Sequence, residues 1–166
     1  MRKPLLIAMG IGAALVAIVV AGIVAMQWNA HIEVQGQILK IRTAPLEAGS
    51  SVVAIDFRFK NPARYAFVVK SVTVTLETRD GKQYDGATTA EIDTQRLFEG
   101  VPLLGQKYNP SLHGGDKVAP SATEDRMVAA RFELPHDRLE ARKRFVLTIE
   151  EVDGAVSQIA ETAPAH

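Results

Sequence analysis

The spacing of apolar and polar positions changes once along this chain. From Leu5 to Met26 no charged or strongly polar side chain interrupts the run LLIAMGIGAALVAIVVAGIVAM. Beyond it, apolar residues mostly alternate with polar ones. A helix over the run is about 33 Å long, against a hydrocarbon core of about 30 Å. A surface that is apolar all round needs lipid or a large protein to cover it. The run therefore predicts a transmembrane helix. The alternation after it predicts strands.

Ile32, Val34, Gly36 and Ile38 begin that alternation. Leu39 and Ile41 shift its phase, as a β-bulge does. Glu47–Ser51 reads as a turn. Val53, Ile55, Phe57 and Phe59 then alternate with Ala54, Asp56, Arg58 and Lys60, which predicts a half-buried strand. Asn61-Pro62 ends it, because proline gives no N–H to a ladder. Phe67–Leu76 forms the next strand. Asp80-Gly81 predicts a hairpin, with Lys82–Asp85 returning, Tyr84 inward and Gly86 closing it.

Thr88-Thr89-Ala90-Glu91 fits a capping box and predicts a helix over Thr89–Glu99, stopped at Gly100. Val101–Ser121 has no period and reads as a long connection, the kind that is functional or disordered. Strand character returns at Asp125–Leu134. Pro135–Arg142 is a short helical segment with Leu139 as its apolar plug. Phe145–Ile149 is a strand, Asp153-Gly154 a tight hairpin, and Val156 with Ile159 a last, weaker strand. About seven short strands without βαβ alternation predict an all-β, antiparallel, immunoglobulin-like sandwich with one short helix in an insert. The divisions expected are an n-region at 1–4, a membrane helix at 5–26, a linker at 27–31, the sandwich at 32–161 and a loose tail at 162–166.

Val53–Gly86 also bears a resemblance. Phe59-Lys60-Asn61-Pro62, the strand Phe67–Leu76 and Asp80-Gly81-Lys82-Gln83-Tyr84 are similar to two groups of sandwich domains. One is the late-embryogenesis-abundant, water-stress and hypersensitive-response domain, whose strand ends Asn-Pro-Asn. The other is the telokin-like domain of bacterial exported and membrane-anchored proteins. There a Pro-rich turn leads to Phe-Glu-x-Pro, as Ala119-Pro120-Ser121-Ala122-Thr123 leads here to Phe132-Glu133-Leu134-Pro135. Ala63 replaces the second Asn of the plant-type motif, and the Ala90–Val118 insert is longer than either pattern expects. The resemblance implies a non-enzymatic extracytoplasmic sandwich and a bacterial setting. It carries over no catalytic residue. The plant-type group suggests desiccation or stress protection as an alternative.

Charge and composition narrow this further. Arg2 and Lys3 precede the apolar run, which leaves 17 basic against 19 acidic residues beyond it. That balance argues against nucleic acid as a partner. There is no cysteine, hence no disulfide, lipid-modified Cys or thiolate site. The run is longer than a cleavable h-region, and Trp28-Asn29-Ala30 is a poor cleavage site. An uncleaved anchor is expected. By the positive-inside rule its N-terminus is cytoplasmic and its C-terminal domain periplasmic, at a bacterial inner membrane. Arg2, Lys3 and Trp28 mark the membrane interfaces. Ala13, Ala17, Ala21 and Ala25 recur every four residues. A Gly/Ala-rich anchor produces that spacing by composition, and a homodimer or partner helix is the alternative reading.

Few residues of the chain carry chemistry by their spacing. His31, His113, His136 and His166 lie in predicted loops, strand ends or the tail, with no metal-ligand spacing. Ser111, His113 and Asp116 are close in sequence, but a triad is assembled by a fold. Neither a metal nor any other cofactor is expected. Glu91 and Asp93 suit a helix start. Arg138, Glu140, Arg142, Lys143 and Arg144, with Arg126 and Arg131, read as a solvated, charge-protected strand edge or as a contact for headgroups or an acidic partner. The apolar side chains of the insert, Leu97, Phe98, Leu103, Leu104, Tyr108 and Leu112, either form a partner surface or cover the sandwich. The function expected is binding, to another envelope protein, rather than catalysis. An enzyme or metal-binding domain is the further alternative.

Overall fold

A computed structural model describes Gly12 and residues 16–20, 34–47 and 49–162. The chain divides into two units, Met1–Ile32 and Glu33–His166. In the first, Gly12 and residues 16–20 are helical. The rest of Leu5–Met26 lies outside the described residues, as do Arg2, Lys3, Trp28, Ala13, Ala21, Ala25, His31 and His166. Of the alanine stripe only Ala17 is described. Among the described residues no helix is long and apolar enough to cross a membrane.

The second unit is antiparallel sheet with a few short helices. Its strands are β1 (Gln35–Glu47), β2 (Ser50–Lys60), β3 (Phe67–Glu77), β4 (Gln83–Thr88), β5 (Lys117–Val118), β6 (Thr123–Phe132), β7 (Arg144–Glu151) and β8 (Val156–Ala160). They run in the order β1-β2-β6-β4-β3-β7-β8, with β5 beside β3. The strands make two layers, and β4 is the corner between them. Its first part pairs with β3 (Tyr84 opposite Leu76, Gly86 opposite Val74), and its end pairs with β6 (Ala87 opposite Arg131). Gly86 therefore lies inside a strand rather than closing it. A Cβ there would stand 2.6 Å from Cζ of Phe132, so the corner admits only glycine without repacking.

The core fills the space between the layers. Ile55, Phe57 and Phe59 of β2 and Val128 and Phe132 of β6 meet Val74 and Leu76 of β3 and Phe145, Leu147 and Ile149 of β7. Phe132 and Phe145 touch across the layers with ring centroids 5.9 Å apart. Each such side chain contributes about 1.5–3 kcal/mol by leaving water. The open side is drawn together where Val34 N–H donates to Ser157 Oγ at 2.8 Å. The phase shift at Leu39 is a register shift between Ile38 and Lys40 in the β1–β2 pairing.

Asn61 fastens the loops at the end where β1 begins. It is fully buried. Its Nδ2 donates to the carbonyls of Tyr65 (2.9 Å), Ala119 (3.1 Å) and Val118 (3.2 Å), and its Oδ1 accepts from Ala63 N–H at 2.9 Å. The Asn-Pro motif thus serves as a joint between two loops, and Ala63 meets it with its backbone alone. At the opposite end of β3, Thr78 N–H donates to Lys82 O across the Asp80-Gly81 turn, with Gly81 at φ +83°.

Three expectations are corrected. The helix spans Glu91–Gly100 and its N-cap is Ala90, with no side-chain cap from Thr88. Strand β6 is not an edge, since it pairs with β2 on one side and β4 on the other. Its Arg126 pairs with Glu124, while Arg142 pairs with Glu161 and Arg144 with Glu77, so most of that charge is matched locally. The last strand expected at Val156 and Ile159 is β8, on which Ser157 and Ile159 face inward and Val156 is exposed. Finally, β2 is buried on both faces from Ser50 to Phe57. The sandwich explains only the inner face.

Candidate functional site

What buries the outer face of β2 is the Ala90–Val118 insert. Ala44 of β1, Val52 and Ala54 of β2, and Met127 and Ala129 of β6 form a second apolar patch on the outside of the β1-β2-β6 layer. Phe98 and Leu104 pack onto it, with Leu46, Leu97 and Val101 around them. Phe98 comes from the helix Glu91–Gly100, and Leu104 from the single 3-10 turn Pro102–Leu104. The returning arm is pinned to β6, where Leu112 N–H donates to Met127 O and Met127 N–H to Pro110 O. The long aperiodic connection is thus a fastened cover.

Its clamp is an ion pair between β1 and β2. Arg42 Nη2 lies 2.6 Å from Asp56 Oδ2, and the two side chains are 8% and 4% exposed. Arg42 Nη1 donates to the carbonyls of Leu104 and Gln106, both at 2.6 Å. Asn109 Nδ2 donates to Asp56 Oδ1 at 2.9 Å. The guanidinium also lies over two rings of the insert, with Cζ 4.9 Å from the Phe98 centroid and 5.4 Å from that of Tyr108. A buried charge of this kind persists only when paired and hydrogen-bonded. Arg42 and Asp56 pair with each other and hold three residues of the insert, while Arg42 Nε stays buried without a hydrogen-bond partner.

Glu91 makes the second fastening. Its carboxylate pairs with Lys107 and accepts from Ser111 N–H at 3.2 Å. Burial pushes the Glu91 carboxyl up, but Lys107 and Ser111 outweigh it and hold it below the ordinary glutamate range. The glutamate expected to reach back to a helix cap instead reaches forward to tie the insert's two arms together. Thr94, fully buried, donates from Oγ1 to Ala90 O at 2.9 Å.

The apolar residues predicted for a partner surface divide. Phe98 and Leu104 are buried and Leu97 partly buried over the outer face, so these three cover the sandwich, while Leu112 joins the inner core. Leu103 and Tyr108 remain outside, at 73% and 64% exposed, and Ile92 stands out from the helix. Lys40 Nζ lies 5.5 Å from the Tyr108 centroid, which steadies that ring.

The Ser111-His113-Asp116 group does not assemble. His113 Nδ1 is 2.9 Å from Asp116 Oδ2, but Ser111 Oγ is buried without a hydrogen-bond partner. His136 contacts Thr43 and Glu140 at the surface. Among the described residues no group of three or more histidine or acidic side chains could hold a metal.

Arg42 and Asp56 carry no sequence motif of their own. One signal was present. Val52 and Ala54 interrupt the polar phase of β2 with apolar side chains, which marks a strand covered on both faces.

No family model matches the chain, and no curated protein matches it. Among solved structures, an uncharacterized beta-sandwich protein from Clostridium difficile 630 aligns over 78% of this chain and 86% of its own, at 14% identity and a TM-score of 0.39.

Proposed function

We propose that this chain is a single-pass, membrane-anchored protein of a bacterial envelope. Its immunoglobulin-like sandwich, of the telokin-like kind, lies outside the cytoplasm and acts by binding another envelope protein, without catalysis. The observation that supports binding is the pairing of exposure with rigidity in the insert. Leu103 and Tyr108 are exposed, yet the backbone between them is held by Arg42 at Leu104 and Gln106. A rigid apolar and aromatic pair loses little entropy on docking, which is how a small patch becomes a hot spot. The anchor follows from the composition of Leu5–Met26.

The test is a photo-crosslinking residue placed at Leu103 or Tyr108 in intact cells. One defined adduct is expected at both positions, and the Tyr108 adduct is expected to disappear with Leu103→Asp. The same adduct from a residue placed at Asp137, which is exposed on the separate helix His136–Glu140, would remove the insert from consideration.

A further inference from the structure

The strand pairings gather one end of the sandwich around the point where the chain enters it. Gln35, the first residue of β1, pairs with Lys60, the last of β2, and Lys60 pairs with Thr123, the first of β6. In the other layer, Val69 near the start of β3 pairs with Glu151 at the end of β7. Asn61 joins the two sides through Val118, Ala119 and Ala122. So the loops 61–66, 119–122 and 152–155 all lie at the entry end.

Two properties set this end apart. It exposes Tyr65 at 45% and Val152 at 59%, each at a loop tip. Its exposed cations Lys60, Arg64 and Lys117 form no ion pair among the described residues. The neighbouring acids are mostly engaged. Asp125 is bound by Arg58, Glu124 by Arg126, Asp116 by His113 and Arg126, and Glu150 by Lys70. Glu151 is buried, and burial followed by Asp153 pushes its carboxyl up. Asp153 alone is left as an exposed described acid without a partner in these loops.

Chain length limits what this end can face. Eight residues lead from Met26 to Val34, and extended chain spans at most about 3.3–3.6 Å per residue, or about 29 Å. Strand β2, at 11 residues, is longer than that at about 3.3 Å per residue. A tether shorter than the strands excludes only the inverted placement, with the far end against the bilayer and the entry end a full strand length from it. We infer that this end rests on anionic lipid, with Lys60, Arg64 and Lys117 at the headgroups and Tyr65 and Val152 in the interface. Aromatic side chains with a polar tip favour that depth, and basic clusters beside a membrane helix are drawn to anionic leaflets. This rests on the anchor proposed above.

The chain has no cysteine, so single labels are unambiguous. Full-length Tyr65→Cys and Leu103→Cys chains carry a fluorophore in vesicles of phosphatidylcholine, alone or with phosphatidylglycerol. Quenching by headgroup spin labels is read. Stronger quenching of the Tyr65→Cys label is expected with phosphatidylglycerol, lost at high salt and in a Lys60→Glu, Arg64→Glu, Lys117→Glu background. Equal quenching at the two positions, or no response to phosphatidylglycerol, overturns the inference alone. Release of the chain from vesicles by alkali overturns both the anchor and the inference.

Discussion

Removing Asp56 is the sharpest test of how the insert is held. In Asp56→Ala the Arg42 guanidinium stays buried, at 8% exposure, without its counter-charge. It keeps the Leu104 and Gln106 carbonyls, while Asn109 Nδ2 loses its acceptor. Breaking a buried pair from one side costs about 3–5 kcal/mol. The two surviving carbonyls place this case near the lower figure, about 3 kcal/mol. A domain of this size is stable by about 5–15 kcal/mol in all. The loss is therefore expected to appear first as local release of the insert, then as a lower global midpoint. Urea denaturation of the full chain reads the second. Limited proteolysis reads the first, with new cleavage expected within 101–110. A paired variant, Arg42→Met with Asp56→Leu, is expected to cost less than Asp56→Ala, because no unpaired charge remains even though the Leu104 carbonyl and the Asn109 amide lose their partners. Asp56→Ala within about 1 kcal/mol of wild type, with unchanged cleavage, would refute the clamp.

Two further outcomes are expected. Asn61→Ala should cost about 2–4 kcal/mol in urea denaturation, since it orphans several buried groups at about 1 kcal/mol or more each. Asn61→Asp should not rescue it, because a carboxylate can still accept from Ala63 but cannot donate to Tyr65, Val118 and Ala119. Glu151→Gln should raise the melting temperature at neutral pH and change it little in acid. The folded carboxyl titrates above its ordinary 4.5, through burial and then Asp153. Its contribution is therefore full below the unfolded value and is lost as pH rises through the folded one. Carboxylates shifted the other way, such as Glu77 beside Arg144 and Asp125 beside Arg58, cancel in the comparison of variant with wild type.

The sequence by itself determined the strands and the inner core. Alternation at period two assigns Ile55, Phe57 and Phe59 to one face whatever lies beyond. Asp80-Gly81 and Asp153-Gly154 mark their turns because glycine there needs a positive φ. Leu139 as a plug and Leu39 as a phase shift are equally local. Only the tertiary structure decided what covers the outer face. A period says which residues share a face, not whether another segment lies on it. Arg42 and Asp56 stand on the polar phase and read as solvated until Leu104, Gln106 and Asn109 fold back over them from about fifty or sixty residues away. Glu91 changed meaning for the same reason. Its capping spacing is a local property, and Lys107 and Ser111 outcompeted it with charge and a backbone N–H brought there by the fold.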